Sequence, residues 1–213
     1  MSTSAPRPNS VKITYFDNHG GRAEPARIAL SAAGIPFTDE RVQFKDWLLL
    51  KPTTLLGSLP LIEVDGEKLT QSNAINRWAG HLAGLYPEGL WHAAQCDEIC
   101  DIVEHLSMVM GPSFGMTGDE QKRERQRLAE GPIPQYVGGL GKRLEERGGV
   151  WFAAGQFTIA DLQVADIVRM LTSGRLDHLP VDLVSRVAPG LVEHRSRVLA
   201  EPRVKAYYAK FGL

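Results

Sequence analysis

The spacing of apolar residues changes partway along the chain. Between residues 11 and 84, short apolar runs typical of strands, such as Val11 to Phe16, alternate with segments that have helical periodicity. The predicted order there is β-α-β-α-β-β-α, with the first strand, first helix and second strand forming a right-handed crossover. From residue 93 onward the pattern is helical throughout. We therefore predict an α/β domain at 11–84, a linker at 85–92 and an all-helical domain at 93–213.

The end of the predicted α/β domain contains a hairpin that leads into a helix. Leu61 to Val64 is a predicted strand, Asp65-Gly66 is a two-residue hairpin turn, and Lys68 to Thr70 returns antiparallel. The next helix is predicted to begin at Ser72, whose hydroxyl would serve as its N-cap. Backbone donors and a helix N-terminus would then face one point. This arrangement suits a small ligand that has an amide backbone and a free carboxylate.

Two features stand out in the helical part. Thr158 followed by Asp161 predicts a capping box at the start of a buried central helix, 157–171. Pro132 and Pro134 are expected to kink or break the helical segment that follows them.

Composition narrows the class of protein. The chain has 24 basic and 25 acidic residues, so charge gives no reason to expect nucleic acid or an anionic membrane as a partner. No apolar run approaches the roughly 20 residues of a membrane span. Residues 1–10 are rich in Ser and Pro and are predicted to be a disordered lead-in rather than a secretory signal. With few cysteines and no signal, the protein is expected to be cytoplasmic.

The two cysteines are Cys96 and Cys100, which lie four residues apart on one face of a predicted helix. Such a pair is either a metal-ligating or redox pair, or two small core residues. The second interpretation is favoured because no neighbouring residues complete a zinc set. No metal is therefore predicted.

Several segments together resemble the tyrosine-type cytosolic glutathione transferases. They are residues 13–16 (Ile-Thr-Tyr-Phe), 21–27, 59–60, 63–66, 71–72 and 158–161. The resemblance is closest to the sigma class, with alpha and mu near, and spans the chain past residue 10. It implies a thioredoxin-like N-terminal domain and an all-α C-terminal domain, with glutathione as co-substrate.

The resemblance assigns the chemistry to Tyr15 and Arg22. The Tyr15 hydroxyl would hydrogen-bond the glutathione sulfur and stabilise its thiolate, and Arg22 would add positive field. A thiol with a pKa of about 8.5 is only a few per cent ionised at pH 7. Lowering that pKa by about two units takes roughly 2.7 kcal/mol of preferential thiolate stabilisation. Without the resemblance, the two residues would be an ordinary strand tyrosine and a surface arginine.

The resemblance also implies binding residues. Leu59-Pro60 would be a cis peptide whose backbone pairs with the cysteinyl amide of glutathione. Gln71 and Ser72 would hold the γ-glutamyl end. The remaining candidates are Trp47 and Lys51 for the glycyl carboxylate, Glu104 of a second subunit for the γ-glutamyl ammonium, and Phe16, Ser107, Met108, Gln163 and Ile167 for the electrophile.

The expected function is that of a homodimeric transferase that adds glutathione to a small hydrophobic electrophile. Two alternatives stay open: a non-catalytic glutathione-binding or structural protein of the same fold, and a glutathione-dependent prostaglandin-type isomerase. A thiol-disulfide oxidoreductase ranks lowest, because it needs a cysteine at the first strand-helix turn. The sequence identifies neither the electrophile nor the natural thiol.

Overall fold

The computed structural model describes residues 7–213, which form two compact units. The first unit runs through Tyr86 and also includes Pro202–Leu213, and the second is Pro87–Glu201. No helix of the described residues is long and apolar enough to cross a membrane.

The first unit contains the predicted β-α-β-α-β-β-α order. Its strands are β1 (Val11–Phe16), β2 (Thr38–Val42), β3 (Leu61–Val64) and β4 (Glu67–Thr70), and its helices are α1 (Glu24–Ala32), α2 (Phe44–Leu50) and α3 (Ser72–Leu82). The strands form one sheet in the order β2-β1-β3-β4. β1 and β2 are parallel, whereas β3 is antiparallel to both β1 and β4. The prediction of a thioredoxin-like α/β half is confirmed.

The hairpin turn also has the predicted chemistry. Asp65 and Gly66 have φ values of 50° and 89°, as a two-residue turn with both central residues at positive φ requires. The Asp65 carboxylate accepts the backbone N–H groups of Asn9 and Ser10 at 2.9 and 2.8 Å. Residues 9 and 10 are therefore bonded to the turn, contrary to the predicted disorder. Residues 1–6 of that lead-in lie outside the described residues.

A last helix, α10 (Pro202–Ala209), joins the first unit and packs against α1. Val204 and Tyr207, three residues apart on one face, are 1% and 2% exposed. The Lys210 ammonium donates to the Ser31 hydroxyl at 2.7 Å. Their helical pattern predicts that they belong to the helical domain, whereas their contacts group them with the first unit.

The second unit is all-helical, as predicted. Its helices are α4 (Leu90–Met110), α5 (Gly118–Glu130), α6 (Pro132–Glu146), α7 (Ile159–Thr172), α8 (Leu183–Val187) and α9 (Pro189–Ala200). The prediction that Pro132 and Pro134 break a helix was wrong. Both lie in the first turn of α6, where a proline lacks only an N–H that has no intrahelical partner.

α7 is the central, buried helix of this unit, as its apolar sequence predicted. Thr158 is its N-cap and Asp161 completes a capping box. The Asp161 carboxylate, 0% exposed, accepts the Thr158 N–H at 2.8 Å, the Thr158 hydroxyl at 2.9 Å and the Phe152 N–H at 3.0 Å. His194 Nε2 also contacts it at 2.9 Å. The start of α7 is thus satisfied by buried groups of its own unit.

Cys96 and Cys100 are free thiols buried on α4. A hydrogen bond with Cys100 lowers the pKa of the Cys96 thiol, against the effect of burial. Their burial supports the interpretation as small core residues.

Candidate active site

Tyr15 lies near the end of β1 and is 8% exposed. The chain after β1 turns back over the Tyr15 ring, so that the backbone N–H of Arg22 donates to the Tyr15 hydroxyl at 3.2 Å. This turn takes up residues 21–23, and α1 begins at Glu24. The hydroxyl of Tyr15 is therefore held next to the backbone of Arg22, near the end of the β1–α1 loop.

The strand pairing indicates that three predicted site residues lie at the same end of the sheet, beyond the ends of its strand ladders. The β1–β3 ladder pairs Thr14 with Leu61, and the β3–β4 ladder pairs Leu61 with Thr70. Because both pairs are antiparallel, continuing each by one residue places Pro60 opposite Tyr15 on one side and Gln71 on the other. The sequence separates these residues by up to 56 positions, and the sheet aligns them.

The Leu59–Pro60 peptide is cis, as the resemblance implied. Leu59 is buried, at 9% exposed, immediately before β3. Its backbone lies just beyond the end of the β1–β3 ladder, which stops at Thr14 and Leu61. A ligand amide added at this point would extend the sheet pairing.

The helix α3 begins at Ser72, as predicted, but Ser72 is not its N-cap. The N-cap is Gln71, with φ 73° and ψ 109°, and Ser72 is the first helical residue. Ser72 is 7% exposed, and no side chain caps the helix. Ser72 therefore does not act as the predicted N-cap. The first backbone N–H groups of α3 keep the character of a helix N-terminus, which favours a carboxylate.

Trp47 and Lys51 lie on α2 and in the short 3-10 turn after it. Trp47 is half-buried and its ring meets the Phe16 ring edge-on, at 5.5 Å between centroids. Phe16 also stacks on Phe44 at 4.5 Å. Lys51 is exposed, and within residues 7–213 it has no carboxylate within 4.0 Å. The α2 region thus presents an aromatic group next to an ammonium.

The remaining candidates belong to the second unit. On α4, Glu104 is half-buried, the Ser107 hydroxyl donates to the Val103 carbonyl at 2.9 Å, and Met108 is 62% exposed. On α7, Gln163 and Ile167 are 7% and 4% exposed. Their roles remain predictions. Within residues 7–213 no three His, Cys, Asp or Glu side chains are grouped so as to hold a metal ion.

Two family models match the chain. The glutathione S-transferase N-terminal domain matches residues 11–80, and the C-terminal domain matches residues 106–211. Glutathione S-transferase 1 of Ascaris suum is 37% identical over 159 residues, covering 73% of this chain and 77% of the relative. The chain belongs to the glutathione S-transferase family.

Further relatives of this glutathione S-transferase cover almost the whole chain. A glutathione S-transferase of Anopheles gambiae is 31% identical over 93% of this chain and 95% of its own. Among solved structures, prostaglandin synthase D of Nilaparvata lugens has a TM-score of 0.83 and 27% identity, covering 94% of this chain and 98% of that one. Na-GST-3 of Necator americanus, described as monomeric, has a TM-score of 0.77 and 26% identity, covering 94% and 97%.

One residue of this transferase site was assigned no role from the sequence. Arg27 is 0% exposed, and its guanidinium carbon lies 5.7 Å from the centre of the Tyr15 ring. It bonds Asp39 at 2.9 Å, Glu24 at 3.3 Å and the Asn18 carbonyl at 3.1 Å. The signal was available: an arginine on the buried face of a helix of small and apolar residues needs partners.

Asp39 joins Arg27 to a second arginine, Arg41. The Arg41 guanidinium bonds the other Asp39 oxygen at 2.8 and 2.9 Å and the same Asn18 carbonyl at 3.1 Å. Burial disfavours the charge of Arg41, but the Asp39 carboxylate outweighs it and raises the pKa of Arg41. The β1–α1 loop of the transferase is thereby fixed at Asn18 by two guanidinium groups.

Proposed function

We propose that this protein binds glutathione along the edge formed by Tyr15, Pro60 and Gln71, ionises its thiol and adds the thiolate to an electrophile. The observation that supports the proposal is the sheet register, whose β1–β3 and β3–β4 ladders end one residue from Tyr15, Pro60 and Gln71. Continued by one residue, it would bring a hydroxyl donor, a backbone pairing site and a helix N-terminus together. These three groups match a thiol, an amide and a carboxylate in one small peptide.

Each end of glutathione has a proposed partner. The backbone of Leu59 pairs with the cysteinyl amide, and Gln71 and Ser72 hold the γ-glutamyl carboxylate at the uncapped start of α3. Trp47 and Lys51 contact the glycyl carboxylate, with the Lys51 ammonium as a point charge. The carboxylates thus meet one helix N-terminus and one cation that lacks an acidic partner among the described residues.

Tyr15 is the proposed catalytic residue. Its hydroxyl donates to the glutathione sulfur, and a hydrogen bond to a charged acceptor in a partly dry site is stronger than one in water. About 2.7 kcal/mol of preferential stabilisation lowers the thiol pKa by about two units, which makes the thiolate a major species at neutral pH. The Arg22 side chain is proposed to add positive field near the same sulfur.

The electrophile is proposed to contact Phe16, Ser107, Met108, Gln163 and Ile167. The polarisable Met108 thioether would adapt to substrates of different shape. A permissive site of this kind suits the detoxification of varied electrophiles in the cytoplasm.

We further propose that the protein is a homodimer in which Glu104 of the second subunit binds the γ-glutamyl ammonium. Support comes from the segment between residues 44 and 56, where five large apolar side chains are 59–81% exposed: Phe44, Leu48, Leu49, Leu55 and Leu56. Exposed apolar side chains in such numbers mark an interaction surface. Sedimentation velocity distinguishes a dimer from the monomeric state described for Na-GST-3.

The conjugation of glutathione to an activated aryl halide tests the proposal. Tyr15→Phe removes one hydroxyl from the site, so we expect the rate at neutral pH to fall about 10- to 100-fold and the bound thiol pKa to rise by about two units. Tyr136→Phe, on α6 of the second unit, is the matched control and leaves both quantities unchanged. Undiminished conjugation by Tyr15→Phe would refute the role of Tyr15.

A glutathione-dependent isomerase is the second candidate function, favoured by the likeness to prostaglandin synthase D of Nilaparvata lugens. It uses the same thiolate but releases glutathione unchanged. Incubation with a lipid endoperoxide distinguishes the two, because isomerisation leaves the glutathione concentration constant. Tight glutathione binding without turnover of either substrate would instead identify a non-catalytic binder.

A further inference from the structure

The backbone N–H and C=O groups of Arg22 both form hydrogen bonds within the first unit. Its N–H donates to the Tyr15 hydroxyl at 3.2 Å, and its carbonyl accepts from the Asn76 side chain at 3.4 Å. Asn76 is 1% exposed and lies on α3, the helix that begins at Ser72. The N–H of Arg22 is therefore placed by both β1 and α3.

Gly21 provides the space in which this hydrogen bond forms. Its φ is +78°, and a Cβ built on it would lie 2.8 Å from the Tyr15 hydroxyl oxygen and 3.0 Å from the ring carbon Cε1. Real Cβ atoms do not approach other atoms so closely. Any other residue at position 21 therefore displaces either the loop or the Tyr15 hydroxyl.

The start of the same loop is held rigidly. Arg27 and Arg41 each donate to the Asn18 carbonyl at 3.1 Å, and the Asp39 carboxylate bonds both guanidinium groups. Arg27 is 0% exposed, so its position is determined by these partners and by packing. A loop anchored at Asn18 and at Arg22 presents the Arg22 N–H in one place.

We propose that Gly21 and the backbone N–H of Arg22 are positioning groups for the Tyr15 hydroxyl, and that the N–H strengthens the hydrogen bond which this hydroxyl donates to the thiolate. An accepted bond does not consume the hydroxyl proton, and it compensates the negative charge that grows on the oxygen as the proton moves toward sulfur. The inference deepens the proposed function and rests on it. It assigns to the main chain of Arg22 a role separate from that of its side chain.

Gly21→Ala tests the proposal against a matched control. Gly34→Ala imposes the same backbone cost, because Gly34 has φ +64°, but a Cβ there meets nothing within 4 Å. The readout is the ultraviolet absorbance of enzyme-bound glutathione thiolate as a function of pH. We expect Gly21→Ala to raise the bound thiol pKa by about one unit, a tenfold loss of thiolate well below that pKa. Gly34→Ala is expected to lose stability without moving the thiol pKa.

An amide-to-ester replacement at Arg22, made by semisynthesis of the full chain, removes the N–H and keeps the side chain. We expect it to raise the bound thiol pKa by about half a unit to one unit. Arg22→Ala keeps the N–H and measures the side chain alone. An ester variant with an unchanged thiol pKa would overturn the proposal, as would a Gly21→Ala variant that behaves like Gly34→Ala.

The bound thiol pKa of the variants distinguishes a failure of this inference from a failure of the proposed function. If Tyr15→Phe leaves the bound thiol pKa unchanged, the role of Tyr15 itself is refuted. If Tyr15→Phe raises it but Gly21→Ala does not, only the present inference fails. In the Tyr15→Phe background, Gly21→Ala is expected to have no further effect on the thiol pKa, because the two groups act through one hydroxyl.

Discussion

The helices α3 and α7 begin in opposite ways. At α7, Thr158 has an extended backbone, and the buried Asp161 carboxylate accepts hydrogen bonds from the groups around it. At α3, Gln71 has the uncommon backbone angles φ 73° and ψ 109°, and no side chain caps the first turn. Both segments belong to the motifs that resemble the family, yet only one of them is complete within its own unit.

We propose that the difference separates a structural helix start from a ligand-binding one. Donors at a helix N-terminus need partners, and a cap of the α7 kind contributes about 1 kcal/mol or more to stability. At α3 the Gln71 side chain makes no such cap, and we propose that a ligand carboxylate accepts hydrogen bonds from the first N–H groups instead. We therefore expect substitutions at α7 to change stability and substitutions at α3 to change glutathione binding.

The largest expected effect is that of Asp161→Ala. The Asp161 carboxylate is fully buried and contacts Thr158, Phe152 and His194, so its removal leaves several donors without a partner. We expect a loss of about 3–5 kcal/mol in the free energy of unfolding, measured by urea denaturation.

The control for this substitution is Asp182→Ala. Asp182 is 60% exposed, and its ion pair within residues 7–213 is with Arg186, one helical turn away, so its loss should cost less than about 0.5 kcal/mol. Where Asp161→Ala remains folded, its glutathione affinity should equal that of the unmodified protein. A tenfold weaker affinity would contradict the assignment of α7 to structure alone.

The next largest effect is expected for Thr158→Ala. It removes the hydroxyl that bonds Asp161 at 2.9 Å but keeps the backbone N–H bond at 2.8 Å. The expected loss is about 1–2 kcal/mol in the free energy of unfolding, with no change in glutathione affinity. Thr158→Ser, which keeps a hydroxyl, should recover most of it. Failure of Ser to do so would show that the methyl group, not the cap, stabilises this position.

The two helix starts also differ in how well the sequence predicted them. Thr158 and Asp161 were predicted correctly because a capping box depends on residues three positions apart. Ser72 was assigned as a cap by the same logic, but the backbone of Gln71 displaces it by one position. The positive φ at Gln71 leaves no local signal in the sequence, because residues other than glycine rarely adopt it.

The rest of the fold and site also divides into features with a local sequence signal and features that depend on residues distant in the chain. The order of strands and helices along the chain, the hairpin turn and the helical half follow from periodicity and turn chemistry. The attachment of α10 to the first unit and the bonds of Arg27 to Asp39 and Asn18 join residues distant in the chain. The proximity of Gly21 to the Tyr15 hydroxyl likewise depends on the path of a loop, which no pattern in the sequence specifies.

Ser72→Ala tests the expectation that substitutions at the start of α3 change glutathione binding. Because Ser72 does not cap α3, we expect the free energy of unfolding to change by less than about 0.5 kcal/mol. Glutathione affinity, measured by calorimetry, should weaken about 5- to 10-fold, since one hydroxyl contact to a carboxylate is lost. A large loss of stability with unchanged affinity would make α3 a structural start like α7.

The smallest effects are expected for Gln71→Gly, which should raise the stability of the protein and weaken glutathione binding. A residue other than glycine at φ 73° and ψ 109° is strained, and relief of that strain exceeds the extra entropy glycine loses on folding. We expect a gain of about 0.5–1 kcal/mol in the free energy of unfolding. The loss of the Gln71 amide should weaken glutathione binding about 3- to 5-fold.

Ala154→Gly provides the control for that last substitution, because Ala154 has φ 54° and lies in the second unit. It should stabilise the protein by a few tenths of a kcal/mol without changing glutathione affinity. If Gln71→Gly stabilised the protein and bound glutathione normally, the strain at Gln71 would serve no function. A gain in stability together with a loss of affinity would show that Gln71 contributes to ligand binding at a cost in stability.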